Sequence, residues 1–164
     1  MNKIGIISTF PPTQCGIATY TTDLYSAIQK HEPELQIIKF RLAFNKSEES
    51  NSDYIIRNNS PEDFHHIAEI INTLDLDLID IQHEYKIFGK PDGENIEILL
   101  DKINKPIVTT LHTINNTLSI NREHAFKKLV ERSNLLFVFS NEAREIINTK
   151  YGGENGQIDH PISG

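Results

Sequence analysis

Two histidines stand directly at the ends of apolar stretches, each followed by a second polar residue. His83 is followed by Glu84, and His112 is followed by Thr113. A histidine beside a carboxylate can serve as a base with its orienting group, or as part of a hydrogen-bonding pocket for a sugar. A histidine such as His112 can make a polar contact to a substrate. Both can also be structural histidines at strand ends, and the residue types leave these alternatives open.

The apolar stretches that precede the histidines are predicted strands. They are Leu78–Gln82 and Pro106–Leu111, and a loop and a helix from about Glu94 to Ile103 separate them. Strand, helix and strand at this spacing form a crossover that makes the two strands parallel. If the strands are neighbours, both histidines emerge at the same carboxyl edge, about 5 Å apart. Ligands of open α/β sheets bind at that edge, so we expect the functional site there.

A glycine follows the first predicted strand, Lys3–Ser8, and precedes a helix predicted from about Ile17 to Lys30. This residue, Gly16, could let the backbone approach an anionic ligand at the N-terminus of that helix. Alternatively, it allows only a positive φ in a tight turn. Its neighbour Cys15 is the one cysteine of the chain, which excludes an internal disulfide, and we expect it to be a packing residue.

Another strand-to-helix turn is predicted at Ser140, between the strand Asn134–Phe139 and the helix Asn141–Tyr151. Ser140 can cap this helix and leave it as an ordinary exposed element. Alternatively, Arg144 in its first turn contacts an anionic group of a ligand. A metal site at the same edge would need a third ligand besides the two histidines, so we expect no metal.

The order of the predicted elements indicates the fold class. Strands and helices alternate along the chain, which predicts an α/β fold: one doubly wound, mostly parallel, Rossmann-like sheet of five or six strands with helices on both faces. A serine followed by proline at Ser60 and Pro61 predicts a helix start, and Gly152 predicts the end of the last helix. We expect one domain over residues 1–153, with 154–164 as a tail or the start of a linker.

Composition and charge exclude several functions. The net charge is −7, from 16 basic and 23 acidic residues, and no basic cluster exceeds Lys127–Lys128, which argues against nucleic-acid binding. The chain contains neither the glycine pattern of dinucleotide-binding folds nor that of phosphate-binding loops. The N-terminus has no apolar run suited to a signal peptide or a spanning helix, so we expect a cytoplasmic protein.

Four segments, in order over nearly the whole chain, resemble GT-B glycosyltransferases of the family 4 (group 1) type. They are Thr9–Tyr20, Gln82–Gly89, Thr109–Thr113 and Phe139–Arg144 with Tyr151 and Gly152. The resemblance implies a retaining transferase that moves a sugar from a nucleotide-sugar to a carbohydrate or lipid-linked acceptor without a metal or other cofactor. In this family the N-terminal domain chiefly shapes the acceptor side.

The resemblance also implies roles for individual residues. Gly16 would approach the phosphate and sugar of the donor, and His112 would be the catalytic residue that contacts the donor sugar. The residues expected to line the acceptor pocket are His83 and Glu84. Further substrate contacts are expected from Thr113, Ser140 and Arg144.

The chain departs from the family pattern in three respects. The second Rossmann-like domain, which carries most nucleotide contacts, is not in this sequence. Lys86 stands where similar sequences often have glycine, and the family's Ile-Pro-His-Gly crossover is replaced by the sequence of residues 160–164. We therefore expect the N-terminal half of a transferase, inactive without its C-terminal domain, which would touch a membrane surface if its acceptor were a lipid. The alternatives are a non-catalytic sugar- or nucleotide-binding module, and a subunit that completes its site with a separately encoded partner.

Overall fold

A computed structural model describes residues 2–49, 52–89, 91–115, 117–152 and 157–159. Seven strands and five helices alternate along these ranges, with short 3₁₀ helices at Lys46–Glu48 and Tyr85–Phe88. In chain order the elements are β1 (Lys3–Ser8), α1 (Gly16–His31), β2 (Gln36–Ala43), β3 (Tyr54–Arg57), α2 (Pro61–Thr73), β4 (Leu78–His83), α3 (Ile96–Lys102), β5 (Ile107–Leu111), α4 (Ile120–Arg132), β6 (Leu135–Phe137), α5 (Asn141–Tyr151) and β7 (Gln157–Asp159).

The strands form one sheet in the order β3-β2-β1-β4-β5-β6-β7, and every pair is parallel. The chain starts in the middle of the sheet, runs outward to β3, and then returns to β4 and continues in the opposite direction. This reversal defines a doubly wound fold, as predicted, with its switch point between β1 and β4.

In the described ranges the sheet has seven strands, one more than the upper end of the five or six that the sequence predicts. The segment Gln157–Asp159 pairs with β6 as β7, whereas the sequence predicts little structure there. For residues 157–159 this expectation is wrong, because a strand of three residues is too short to display an alternating pattern, and residues 160–164 lie outside the described part of the chain. Its position is fixed by the ladder that the edge of β6 offers.

The two faces of the sheet bury different sets of side chains. One face packs against α1 through a small cluster of Ile4, Ile6, Phe10 and Tyr25. The opposite face carries the larger cluster, to which α2, α3, α4 and α5 all contribute. The helices thus lie on both faces, as predicted.

The helix ends follow the local signals in the sequence. The Ser60 hydroxyl accepts a hydrogen bond from the Asp63 amide at the start of α2, and Pro61 is the first helical residue. Gly152, with φ of +46°, ends α5 in the left-handed conformation. Among the helices of the described ranges, none has the length and apolar character needed to cross a membrane.

Candidate functional site

The two histidines predicted at strand ends do lie at one edge of the sheet. Strands β4 and β5 are parallel neighbours, with His83 opposite Leu111, and the His112 amide donates to the His83 carbonyl over 3.0 Å. The backbone therefore brings both residues to the carboxyl edge, as the crossover predicts.

The side chains of the two histidines lie on opposite faces of the sheet. His83 is only 2% exposed and packs among the rings of Tyr85, Phe88 and Phe126. Its Nδ1 atom has no hydrogen-bond partner among the residues that the structure describes, and burial lowers the pKa of this imidazole to about 3. His83 is thus a neutral side chain of the core, separated from any ligand on the other face.

His112, by contrast, is half-buried and lies against α1 and the end of β6. Its ring contacts the rings of Tyr20 and Phe139, at centroid distances of 5.0 and 5.4 Å. Its Nε2 atom lies 2.9 Å from the Oε1 atom of Gln82. Burial lowers the pKa of His112 below its ordinary value, which favours the neutral imidazole.

A cleft of about 360 Å³ opens beside His112, between the loop after β5 and the first turns of α5. We name it the His112 cleft. It combines apolar and polar side chains, and its lining residues are Leu111, His112, Ile114, Asn115, Phe139, Ser140, Glu142, Ala143 and Ile146. Of the predicted site residues, the cleft thus brings together His112 and Ser140, which come from different strand ends.

The remaining predicted residues lie around this cleft without lining it. Thr113 directly follows His112 and is half-buried, and Glu84 is half-buried where it precedes the 3₁₀ helix at the end of β4. Arg144 is exposed on α5, where its amide bonds to the carbonyl of Ser140. Ser140 itself caps α5, since its hydroxyl accepts from the Ala143 amide over 3.1 Å.

Gly16 is the first residue of α1 and is exposed. The alternative in which Gly16 serves a tight turn with positive φ is wrong, because the positive-φ glycines in the described ranges are Gly89, Gly93 and Gly152. A Cβ atom added at Gly16 would meet nothing within 4 Å. Nothing in the described part of the chain therefore requires glycine at this position.

A buried arginine, which sequence reasoning missed, binds the loop that precedes Gly16. Arg41 on β2 is fully buried, and its guanidinium donates to the carbonyls of Phe10 and Pro11 at 2.5 and 2.6 Å and to the Ser52 hydroxyl at 2.8 Å. Burial lowers its pKa. Arg41 thereby anchors the start of the loop between β1 and α1 to strand β2.

A buried polar network links the sheet interior to His112, and sequence reasoning missed it as well. Asp80 accepts hydrogen bonds on its Oδ2 atom from the Tyr25 hydroxyl and from Gln82 Nε2, the latter at 2.7 Å. The same Gln82 nitrogen lies 3.3 Å from the Thr110 hydroxyl. Burial raises the pKa of Asp80 to about 6. Two polar residues at alternating positions of an apolar strand are the signal that could have revealed this network.

In the part of the chain that the structure describes, no three His, Cys, Asp or Glu side chains are arranged to hold a metal ion. The expectation of a metal-independent site stays a prediction.

Comparison with solved structures shows that the fold is similar to that of a sucrose-phosphate synthase. A sucrose-phosphate synthase from Thermosynechococcus elongatus aligns with a TM-score of 0.58 and 17% identity, over 99% of this chain and 89% of that chain. A conserved protein from Enterococcus faecalis V583 aligns with a TM-score of 0.42 and 14% identity, over 98% and 92%. No family model matches the sequence, and no curated protein matches it significantly. The likeness to the synthase, at this identity, shows the Rossmann-type fold alone.

Proposed function

We propose that this chain is the acceptor-side, N-terminal half of a retaining GT-B glycosyltransferase. The complete enzyme transfers a sugar from a nucleotide-sugar to a carbohydrate or lipid-linked acceptor, and it requires a C-terminal domain for activity. The single observation that carries the proposal is the position of His112, at the wall of a cleft on the carboxyl edge of a doubly wound sheet. The fold shared with sucrose-phosphate synthase supports it.

The His112 cleft has the chemical character of a carbohydrate site. Phe139 is 47% exposed and offers an aromatic face to the C–H groups of a sugar ring. Ser140, Asn115 and Glu142 supply hydroxyl, amide and carboxylate groups around it, which suit sugar hydroxyls. An apolar face combined with a few convergent polar groups is the usual composition of a small-molecule site.

In this proposal His112 contacts the donor sugar, and Gly16 lets the donor approach α1. A glycine in the first turn of a helix suits a phosphate, because it leaves the backbone accessible and the free amides and the helix dipole favour negative charge. The open space around Gly16 leaves room for such a group. No metal takes part, and the second domain supplies the remaining nucleotide contacts.

The acceptor is proposed to lie toward the ends of β4 and β5. Glu84 and Thr113 are the proposed contacts at the rim, and Arg144 is proposed to contact an anionic group. His83 is 2% exposed, so it makes no direct contact with the acceptor in this proposal. The full-length enzyme is proposed to work in the cytoplasm, against a membrane surface if its acceptor is a lipid.

The test is a ligand-observed NMR titration with a panel of nucleotide-sugars and simple saccharides. The wild-type chain is compared with His112→Ala and with His65→Ala, whose exposed histidine on α2 makes it a matched control. We expect saccharide contacts that disappear in His112→Ala and persist in His65→Ala, with little nucleotide binding. Tight nucleotide binding by this chain alone, or saccharide binding that is indifferent to His112, would contradict the half-domain assignment.

A further inference from the structure

The hydrogen-bond network behind His112 has a direction that its chemistry fixes. Asp80 is 5% exposed, and both of its hydrogen bonds, from Tyr25 and from Gln82, end on the same oxygen, Oδ2. Burial raises the pKa of Tyr25, so its hydroxyl stays protonated and donates. A carboxylate only accepts hydrogen bonds, so Asp80 turns the NH₂ group of Gln82 toward itself.

The orientation of the Gln82 amide then decides which of its two polar atoms faces His112. Gln82 is fully buried on β4, and its NH₂ group is used by Asp80 and Thr110. Its carbonyl oxygen is therefore the atom that faces His112, at 2.9 Å from Nε2. An amide oxygen can only accept a hydrogen bond. Nε2 of His112 must therefore carry a proton and donate it to Oε1 of Gln82.

We propose that Asp80 and Gln82 are positioning residues that hold His112 as the neutral, Nε2-protonated tautomer. The remaining nitrogen, Nδ1, then has a lone pair and accepts a hydrogen bond from a ligand hydroxyl. His112 therefore selects a ligand group that donates, such as a sugar hydroxyl, over one that only accepts. This consequence for ligands rests on the proposed function, whereas the tautomer itself does not.

The surroundings of His112 agree with a neutral ring. Burial lowers its pKa, and the half-buried carboxylate of Glu84, which acts in the opposite direction, is the smaller influence. Among the described residues, the aromatic side chains of Tyr20 and Phe139 also contact the ring. The buried carboxylate of Asp80 reaches His112 only through Gln82, so its part is to orient an amide.

The experiment is NMR of the ligand-free chain, labelled with ¹⁵N in its histidines, at pH 7.5. His112→Asn identifies the signals of His112 by their loss. In the wild type we expect a pyridine-type Nδ1 and a pyrrole-type Nε2, with an Nε2 proton slow enough in exchange to be observed directly. Gln82→Met removes the acceptor, and we expect proton exchange about tenfold faster and a mixture of tautomers, because the ring loses one hydrogen bond.

Thr110→Val is the matched control, because it removes the weaker partner of the same amide and leaves Asp80 in place. We expect it to keep the wild-type tautomer and a slowly exchanging Nε2 proton. A protonated Nδ1 in the wild type, or an Nε2 proton unchanged in Gln82→Met, would overturn the proposal. If Gln82→Met does not fold, Gln82→Asn gives the same readout, since its shorter amide cannot reach His112.

The outcome is separable from that of the saccharide titration. The expected tautomer in a chain that binds no saccharide would contradict the proposed function alone. Saccharide binding through a His112 that is not held by Gln82 would contradict only the role of the network.

Discussion

His83 and His112 are joined by a main-chain hydrogen bond of 3.0 Å, yet their side chains leave the sheet on opposite faces. His83 lies opposite Leu111, so His112 is displaced by one residue along its own strand. Because successive side chains alternate between faces, this displacement sends one histidine into the aromatic core and the other beside the cleft. The two residues therefore have different chemistry, despite their equivalent positions at strand ends.

Burial of His83 makes the stability of the fold depend on pH. Its pKa is about 3 in the folded chain, whereas an unfolded histidine takes up a proton near pH 6.5. The unfolded state therefore binds more protons between these values, and the free energy of unfolding falls as the pH falls, by about 2 kcal/mol at pH 5.

We expect His83→Leu to lose this dependence and to be at least as stable as the wild type at pH 7.5, since it also removes a buried Nδ1 that has no partner in the described part of the chain. Urea unfolding at pH 5 and 7.5 measures it, with the exposed His65→Leu as control. Equal pH slopes for His83→Leu and the wild type would contradict the neutral, buried state of this histidine.

Asp80 is expected to act with the opposite sign. Its pKa of about 6 is raised above the unfolded value, so its contribution to stability is present at low pH and is lost as the pH rises through 6. Asp80→Asn keeps the shape without the charge. We expect the free energy of unfolding of Asp80→Asn, relative to that of the wild type, to rise by about 2 to 3 kcal/mol from pH 4 to pH 8.

Unfolding of both chains at the two pH values measures this gain. Asp75→Asn, which removes an exposed carboxylate shortly before the same strand, controls for the loss of one charge. A stability difference between Asp80→Asn and the wild type that does not change with pH would show that Asp80 is not a buried carboxylate in solution.

Gly16 and Gly93 are expected to respond oppositely to the same substitution. Gly16→Ala should leave the free energy of unfolding within about 0.5 kcal/mol, because its Cβ meets nothing within 4 Å. Gly93→Ala should lose at least about 2 kcal/mol, because its φ is +86° and a Cβ would lie 2.1 Å from the Tyr85 carbonyl oxygen. Thermal and urea unfolding compare the two, and a strongly destabilised Gly16→Ala would mean that the fold itself requires this glycine.

Phe139 is expected to matter for saccharide binding more than for stability. It is 47% exposed in the His112 cleft, so Phe139→Ala removes an aromatic surface that the fold only partly buries. We expect saccharide affinity to fall about tenfold, from the loss of roughly 1.4 kcal/mol of stacking and apolar contact. Phe44→Ala is the control, since Phe44 is 41% exposed and lines a different cavity, beside Cys15. Equal losses in the two variants would exclude a specific aromatic contact at Phe139.

Much of the fold could be predicted because its signals are local. The apolar runs of β1, β4 and β5, the cap at Ser60 and Pro61, and the glycine that ends α5 each act within a few residues. The crossover rule then makes β4 and β5 parallel and brings both histidines to one edge. The third strand of this edge, β6, and the cap at Ser140 follow in the same way.

The sequence by itself thus determined the α/β class, the sheet edge that carries the candidate site, and the residues that stand there. Only the tertiary structure decided on which face of the sheet each side chain lies. His112 lines a cleft with Ser140, whereas His83 lies in the core. It also decided that Asp80 and Gln82 stand behind His112, and that three residues after the last helix extend the sheet as β7. The physical reason is that strand register, and the packing of helices against each face, depend on contacts between residues far apart in the chain, which no local pattern specifies.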